Sequence, residues 1–372
     1  MISPRRIFFS TGEPSGELAA LALGEAMRAA DPALRFSGIG AEGMRAAGWD
    51  LYADHTGWAS LGPLAAIPRI PKLLREMWKC ARDLAAAPPD LVVLIDFGAF
   101  NVRLAKELRD KYRYVGPILY LFPPGAWLDD PGPARAVAAR ALPLTGFAHQ
   151  AEFYRSLHLP IAFFGHPLAP RIAARPQRAA PPSDGGTLAL LPGSRGDEIA
   201  RLAPPLREAL ALVRRTRPQV RARVGAADAT ARTILERVFR DVAETEICDG
   251  LQAAIRDVDA AWVASGTAVL ETTLSNVPTI ALYAITPLLA AHARRLMRRP
   301  YITLPNLILD REAIPELLQE RATPAELAAA MERILRAPEE WYRSVGALRD
   351  ALGPADALDR CAHYALAVAR AR

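Results

Sequence analysis

The chain has 372 residues, 23% of them charged and 51% hydrophobic, with 46 Lys and Arg against 40 Asp and Glu for a formal net charge of +6. At ~150 residues per domain this length predicts two folded domains, and the mixed composition excludes a disordered or collagen-like chain. The basic balance favours anionic partners such as phosphates, nucleic acid or acidic lipid, whereas the scattered Cys80, Cys248 and Cys361 form neither a disulfide framework nor a metal pattern.

After Met1-Ile2-Ser3-Pro4-Arg5-Arg6 comes an apolar run, Ile7-Phe8-Phe9, too brief for the hydrophobic region of a signal peptide, so a cytoplasmic protein is expected. Strands are predicted at Ile7–Ser10, Leu34–Ser37, Leu91–Ile95 and Ile118–Phe122, and again at Leu188–Leu191, Val220–Val224, Ala260–Ala264 and Thr279–Tyr283, with helical patterns between them. Such alternation implies parallel sheets with right-handed crossovers. The predicted fold class is therefore α/β, as two Rossmann-like domains over 1–170 and 187–340. A Pro-, Ala- and Gly-rich linker covers 171–186, and helices over 341–372 are expected to pack back on the first domain. Open parallel sheets bind ligands at the carboxyl ends of their strands, so a donor nucleotide is expected on the second half and an acceptor on the first, across a central cleft. The stretch Thr272 to Ala293 lacks charged residues, but Pro278 and Pro287 break it, which favours helix, strand and helix over a membrane span.

The first candidate site is Thr11-Gly12-Glu13-Pro14-Ser15-Gly16-Glu17, a strand-to-helix turn in which Gly12 permits close backbone approach and Glu13 or Ser15 could meet a sugar. Its plainer reading is that Ser15 caps the helix. Gly38-Ile39-Gly40-Ala41-Glu42-Gly43 matches a dinucleotide fingerprint in form only, since it follows the second strand rather than the first. Ile67, Ile70, Leu73, Leu74, Met77 and Trp78 recur at helical spacing beside Arg69, Lys72 and Arg75, and Leu288–Arg299 carries four arginines; each reads either as a basic amphipathic membrane contact or as a core face. Asp96 ends a very apolar strand, where a carboxylate serves a site or a helix cap. His166, in Phe164-Gly165-His166-Pro167, could orient a phosphate or hydroxyl or simply pack in a turn.

The most informative stretch is Leu188-Ala189-Leu190-Leu191-Pro192-Gly193-Ser194-Arg195-Gly196-Asp197-Glu198-Ile199. An apolar strand runs into a tight turn and a helix N-terminus, whose amides carry partial positive charge, and Arg195 adds a cation able to hold two phosphate oxygens. It lacks the lysine and glycine spacing of a Walker A loop and suits a departing diphosphate instead. Asp257-Val258-Asp259 reads as a boundary turn rather than a metal site, and no other cluster of hard oxygen ligands is evident, so no essential metal is expected. Ser265-Gly266-Thr267 opens another helix with an expected hydroxyl cap; Glu271, four residues after Thr267 on the same face, could accept both hydroxyls of a ribose.

Taken together these blocks resemble the lipid-A-disaccharide synthase family of GT-B glycosyltransferases. The resemblance runs in order through Gly12-Glu13-Pro14-Ser15-Gly16, Ile95-Asp96 with Phe100-Asn101, Phe164-Gly165-His166, Leu190–Gly196, Ala264-Ser265-Gly266-Thr267-Ala268, Tyr301–Leu307 and Pro315–Glu320. It implies transfer of 2,3-diacylglucosamine from UDP to the 6-hydroxyl of 2,3-diacylglucosamine 1-phosphate, giving a β-1,6 disaccharide with inversion. Under it Asp96, Arg195 and Glu13 are catalytic candidates, and Gly12, Ser15, Asn101, His166, Gly193, Ser194, Ser265, Gly266, Thr267, Glu271 and Asn306 bind substrate. It further implies a UDP-sugar donor with no cofactor or metal, a lipid-like acceptor, peripheral contact with the inner face of the cytoplasmic membrane, no nucleic acid and pairing as a homodimer.

The departures all lie in the acceptor half. The family's second aspartate, its favoured base, is Ala99 here; its Ser-Pro-Ser-x-Trp-Ala-Trp segment becomes Phe122–Asp130; a glutamate is absent around Leu61–Ala65; and Pro-Phe-Glu becomes Ala148-His149-Gln150. Asp96, Glu13, His149 and Asp129 are candidate replacements for the base. The alternatives are another UDP-N-acetylglucosamine enzyme, such as an epimerase or a transferase with a different acceptor, and a catalytically silent nucleotide-sugar or lipid-binding homologue.

Overall fold

The computed structural model describes residues 5–56, 58, 70–124, 130–172, 174, 176–177, 186–297 and 299–371. The chain divides into two compact units, residues 1–171 with 352–372, and residues 172–351. In the first, a parallel sheet contains β1 (Arg6–Ser10), β2 (Arg35–Gly40), β3 (Asp50–Asp54), β4 (Leu91–Ile95), β5 (Ile118–Leu121), β6 (Leu142–Thr145) and β7 (Ala162–Phe163), in the order β3-β2-β1-β4-β5-β6-β7. In the second, β8 (Thr187–Leu191), β9 (Arg221–Ala226), β10 (Thr245–Asp249), β11 (Ala260–Ala264), β12 (Thr279–Tyr283) and β13 (Glu316–Leu318) pair in parallel, in the order β10-β9-β8-β11-β12-β13. Each is a doubly wound Rossmann-like sheet, as expected.

The central strands are unbroken apolar runs because helices cover both of their faces: every residue of β4 and β11 is buried. The strands that sequence reading missed are β3, β6, β7, β10 and β13. Two of them, Asp-Leu-Tyr-Ala-Asp and Thr-Glu-Ile-Cys-Asp, lie at sheet edges and are half-exposed, so they lack the apolar run that marks a central strand. Thr272 to Ala293 resolves into helix, β12 and helix, and no described helix is long and apolar enough to cross a membrane.

The C-terminal segment is shared between the units. Trp341, Tyr342 and Val345 belong to the second core, so the return to the first unit begins at Leu352 rather than near residue 341. The last helix, Ala357–Arg370, then completes the first core, where Cys361, Ala362, Ala365, Leu366 and Ala369 pack with Ile7, Phe9, Ala19 and Leu23. Leu366 is 2% exposed, so Leu366→Ala is expected to destabilise the first unit by about 2–5 kcal/mol, through lost burial and a residual cavity. Denaturant unfolding followed by hydrogen exchange checks this: protection should fall in β1 and the helix Pro14–Ala30 and persist in β8 and β11.

Candidate functional site

A parallel sheet opens a binding crevice where neighbouring strands send their chains in opposite directions. That reversal falls between β1 and β4 in the first unit and between β8 and β11 in the second. Gly12 and Glu13 follow β1 and Asp96 follows β4, while Gly193 to Arg195 follow β8 and Ser265 to Thr267 follow β11. The motifs chosen from sequence thus occupy the two switch points.

At the first, Glu13 is the extended N-cap of the helix Pro14–Ala30 and makes no side-chain cap; Ser15 sits inside the first turn, so it does not cap the helix either. Asp96 is exposed, and it and Phe97 both adopt left-handed backbone, with φ of 46° and 47°. For non-glycine residues such conformations cost of order 1–3 kcal/mol each and persist only where surroundings over-determine them. Here the Asp96 carbonyl accepts from Asn101 Nδ2 at 3.0 Å and from the Tyr120 hydroxyl at 2.8 Å. The Phe97 ring lies across Gly12, where a Cβ would stand 2.2 Å from it. Gly12 is therefore needed for this ring, and it is buried rather than open to a ligand.

Asn101, expected at the substrate, is fully buried. Its Nδ2 also donates to the Ser10 and Ile95 carbonyls and its Oδ1 accepts from the Ser10 hydroxyl at 2.6 Å, so it ties β1 to β4 and to the main chain of Asp96. His166 is packed against Phe122 and Phe147, with Nδ1 accepting from the Leu168 and Ala169 amides. The ring is therefore neutral with its proton on Nε2, and burial pushes its pKa down to about 4. His149 is likewise buried, stacked on Phe147, and does not fit the base role. Asp129 and the segment around Leu61–Ala65 lie outside the described residues. Ala99, exposed in the first turn of the helix Gly98–Lys106, leaves no carboxylate beside Asp96 at that point.

At the second switch point Arg195 is the N-cap of the helix Gly196–Thr216. Sequence reading missed Glu198, whose carboxylate turns back to accept from the Ser194 amide at 3.3 Å and lies against Gly193, which has φ +112°. This is the glutamate half of a capping box, three residues after the N-cap, and that spacing could have revealed it. Burial raises the Glu198 pKa, opposed by the Arg195 charge and the Ser194 and Arg195 amides; burial also raises that of Tyr283, at the end of β12, with Glu198 adding to it. The Glu198 carboxyl thus occupies an amide that was expected to meet phosphate.

The neighbouring helix, Thr267–Leu274, has Gly266 rather than a hydroxyl at its N-cap and makes no side-chain cap, which corrects the expectation for Ser265. In its first turn the Val269 amide donates to the Gly266 carbonyl at 3.2 Å. Thr267 is exposed and Glu271 is half-buried on the same face, with Glu271 Oε1 accepting from Gln252 Nε2 at 2.5 Å. Gln252 was not foreseen. Asn306, expected near the donor, is fully buried: Oδ1 accepts from the Ala313 and Ile314 amides, and Nδ2 donates to the Ile314 carbonyl and to Glu316 Oε1. Glu316 also accepts from Thr303 and Ile302, so this pair fixes a loop instead of offering free groups. Asp259 ties down the start of β8 through the Thr187 amide at 2.7 Å, as suits a boundary turn. Among the described residues no cluster of three or more His, Cys, Asp or Glu is assembled to hold a metal.

The family model described as Lipid-A-disaccharide synthetase matches residues 7–349. This chain belongs to the lipid-A-disaccharide synthase family. The Azotobacter vinelandii lipid-A-disaccharide synthase is 36% identical over 383 residues, covering 98% of each chain, and the Hahella chejuensis enzyme is 33% identical over 88% of this chain and 85% of its own. Among solved structures, the S. aureus MnaA-UDP co-structure aligns with TM-score 0.68 at 11% identity, covering 96% of this chain and 94% of its own. The UDP-GlcNAc 2-epimerase from Neisseria meningitidis bound to UDP-GlcNAc aligns with TM-score 0.67 at 10% identity, covering 97% and 99%. These likenesses show the two-domain GT-B fold. Membership makes the protein a hexosyltransferase of lipid A biosynthesis.

In this family member His166 makes acid stability predictable. Its unfolded imidazole takes up a proton near 6.5 and the folded one only near 4, so between these values the unfolded chain binds more protons. The contribution is complete above pH 6.5 and is lost as pH falls toward 4, amounting to about 3 kcal/mol. Urea unfolding of the wild type and His166→Asn between pH 7 and 4 should show a shallower acid decline in the variant.

Proposed function

We propose that this enzyme transfers 2,3-diacylglucosamine from UDP to the 6-hydroxyl of 2,3-diacylglucosamine 1-phosphate, inverting the anomeric carbon to give the β-1,6 disaccharide. The carrying observation is Arg195 at the N-cap of a long helix on the β8 side of a switch point, beside the uncapped helix Thr267–Leu274 on the β11 side. In this reading the guanidinium, with Gly193 and Ser194, binds the diphosphate and stabilises its charge as the C–O bond to the sugar breaks. Ser265, Gly266 and Thr267 supply further donors, and Glu271 accepts the ribose hydroxyls. Asp96 takes the proton from the acceptor hydroxyl as that oxygen bonds to the anomeric carbon, with Glu13 and Ser15 beside the acceptor. Support for the donor comes from the similar solved structures, MnaA with UDP and the Neisseria meningitidis epimerase with UDP-GlcNAc.

A lipid-like acceptor requires access to a bilayer, and we assign that contact to the helix Ile70–Ala86. Its Met77, Cys80, Ala81 and Leu84 are core, but Ile70 and Trp78 stay 40% and 45% exposed beside Lys72, Arg75 and Lys79. Ile67 and Arg69 lie outside the described residues. The other basic segment is a weaker candidate, because Arg294 pairs with Glu320 and Arg299 with Asp310.

The test is to incubate the purified chain with UDP-2,3-diacylglucosamine, with and without the acceptor phosphate, following UDP release and products by mass spectrometry. Disaccharide supports the assignment; UDP release only with another acceptor, or no turnover, refutes it. Arg195→Ala is expected to lower kcat/KM by at least ~10²-fold without changing the melting temperature, and undiminished turnover would remove the donor site from this loop.

A further inference from the structure

The left-handed pair Asp96-Phe97 is gripped from a strand that the catalytic assignment does not use. Tyr120 lies on β5, opposite Leu94 of β4, and its side chain is fully buried. It belongs to the apolar cluster containing Phe100, Leu104 and Leu108, where phenylalanine would fill the same space without the cost of burying a hydroxyl. That hydroxyl donates to the Asp96 carbonyl at 2.8 Å, and Asn101 Nδ2 reaches the same oxygen at 3.0 Å. The peptide at which the backbone turns left-handed is thus held by two buried donors. Beyond it, Phe97 is held by Gly12 on one side and by Phe100, stacked at a centroid distance of 5.7 Å, on the other.

We infer that Tyr120 is a positioning residue for the transfer reaction: its hydroxyl holds the Asp96 peptide in the left-handed turn that sets the Asp96 carboxylate at the switch point. The inference rests on the proposed role of Asp96 as the base. Burial, and after it the Asp96 charge, raise the Tyr120 pKa well above its ordinary value, so the phenol stays a neutral donor throughout the working pH range. Without the hydroxyl the Asp96 carbonyl keeps the Asn101 donor and the Asp96 amide its bond to the Leu121 carbonyl at 3.0 Å, but the carbonyl has lost its shorter bond; relaxation of Asp96 toward negative φ then swings the carboxylate away from the acceptor hydroxyl. The grip is on the main chain, so it fixes geometry without competing for the proton that Asp96 receives.

Tyr120→Phe in the full-length enzyme tests this. The expected result is a fall in kcat of about 10- to 100-fold, the size of a misplaced catalytic group, with acceptor KM and UDP affinity changed less than about twofold. In an Asp96→Asn background the same substitution should cost nothing further, since the group being positioned is already lost. A kcat within about twofold of wild type, or an equal penalty in both backgrounds, overturns the inference. If the wild-type chain itself turns over no substrate, the reading of function fails separately, and a crystal structure of Tyr120→Phe decides this point. Movement of Asp96 away from its φ of 46° upholds the role, and an unmoved turn overturns it. Should Tyr120→Phe not fold, it is made with Asp96→Gly, in which left-handed backbone costs little. Recovered folding supports the role of the hydroxyl and continued failure refutes it.

Discussion

A sheet of parallel strands offers space above its carboxyl ends only where adjacent chains leave in opposite directions, and each half of this molecule has one such place. The turns proposed to meet the diphosphate and the acceptor hydroxyl depend on that constraint. It brings the Gly193–Arg195 turn beside Ser265–Thr267 and the Gly12–Glu13 turn beside Asp96, although 70 residues or more separate the members of each pair in sequence. Elsewhere along the sheets a crossover helix fills the same position.

Holding those turns requires buried polar groups, and the blocks that carry the family resemblance divide accordingly. Arg195, Thr267, Glu271 and Asp96 reach the surface, but Asn101 and Asn306 do not. Each asparagine uses both its carbonyl and its amide on internal partners, a geometry that no apolar residue of similar volume reproduces. Removing either would strand several buried donors or acceptors, each costing on the order of 1–3 kcal/mol. These two side chains therefore serve the turns from within the fold.

In the second unit the Glu198 carboxyl turns back onto the Ser194 amide at the start of the helix Gly196–Thr216. The first unit relies on shape instead. A left-handed turn, a ring lying over glycine and a buried phenol together fix one exposed carboxylate. With Ala99 in place of the family's second aspartate, that carboxylate is the one the fold holds at the end of β4.

The sequence by itself determined the strand-helix alternation, the two parallel-sheet units, and the turns that leave the strands at the two switch points. Unbroken apolar runs such as Leu91–Ile95 and Ala260–Ala264 suit strands covered on both faces, and the glycines that follow them mark where the chain can turn out of the strand. Tertiary structure alone decided the rest. The polar edge strands Asp50–Asp54 and Thr245–Asp249 gain their hydrogen bonds from a neighbour distant in the chain, so no local pattern announces them. For the same reason the inward roles of Asn101 and Asn306, and the reach of Tyr120 to Asp96, were invisible. Whether a polar side chain faces a ligand or the core is set by which strands lie beside it, and that is a property of the folded sheet rather than of the residue.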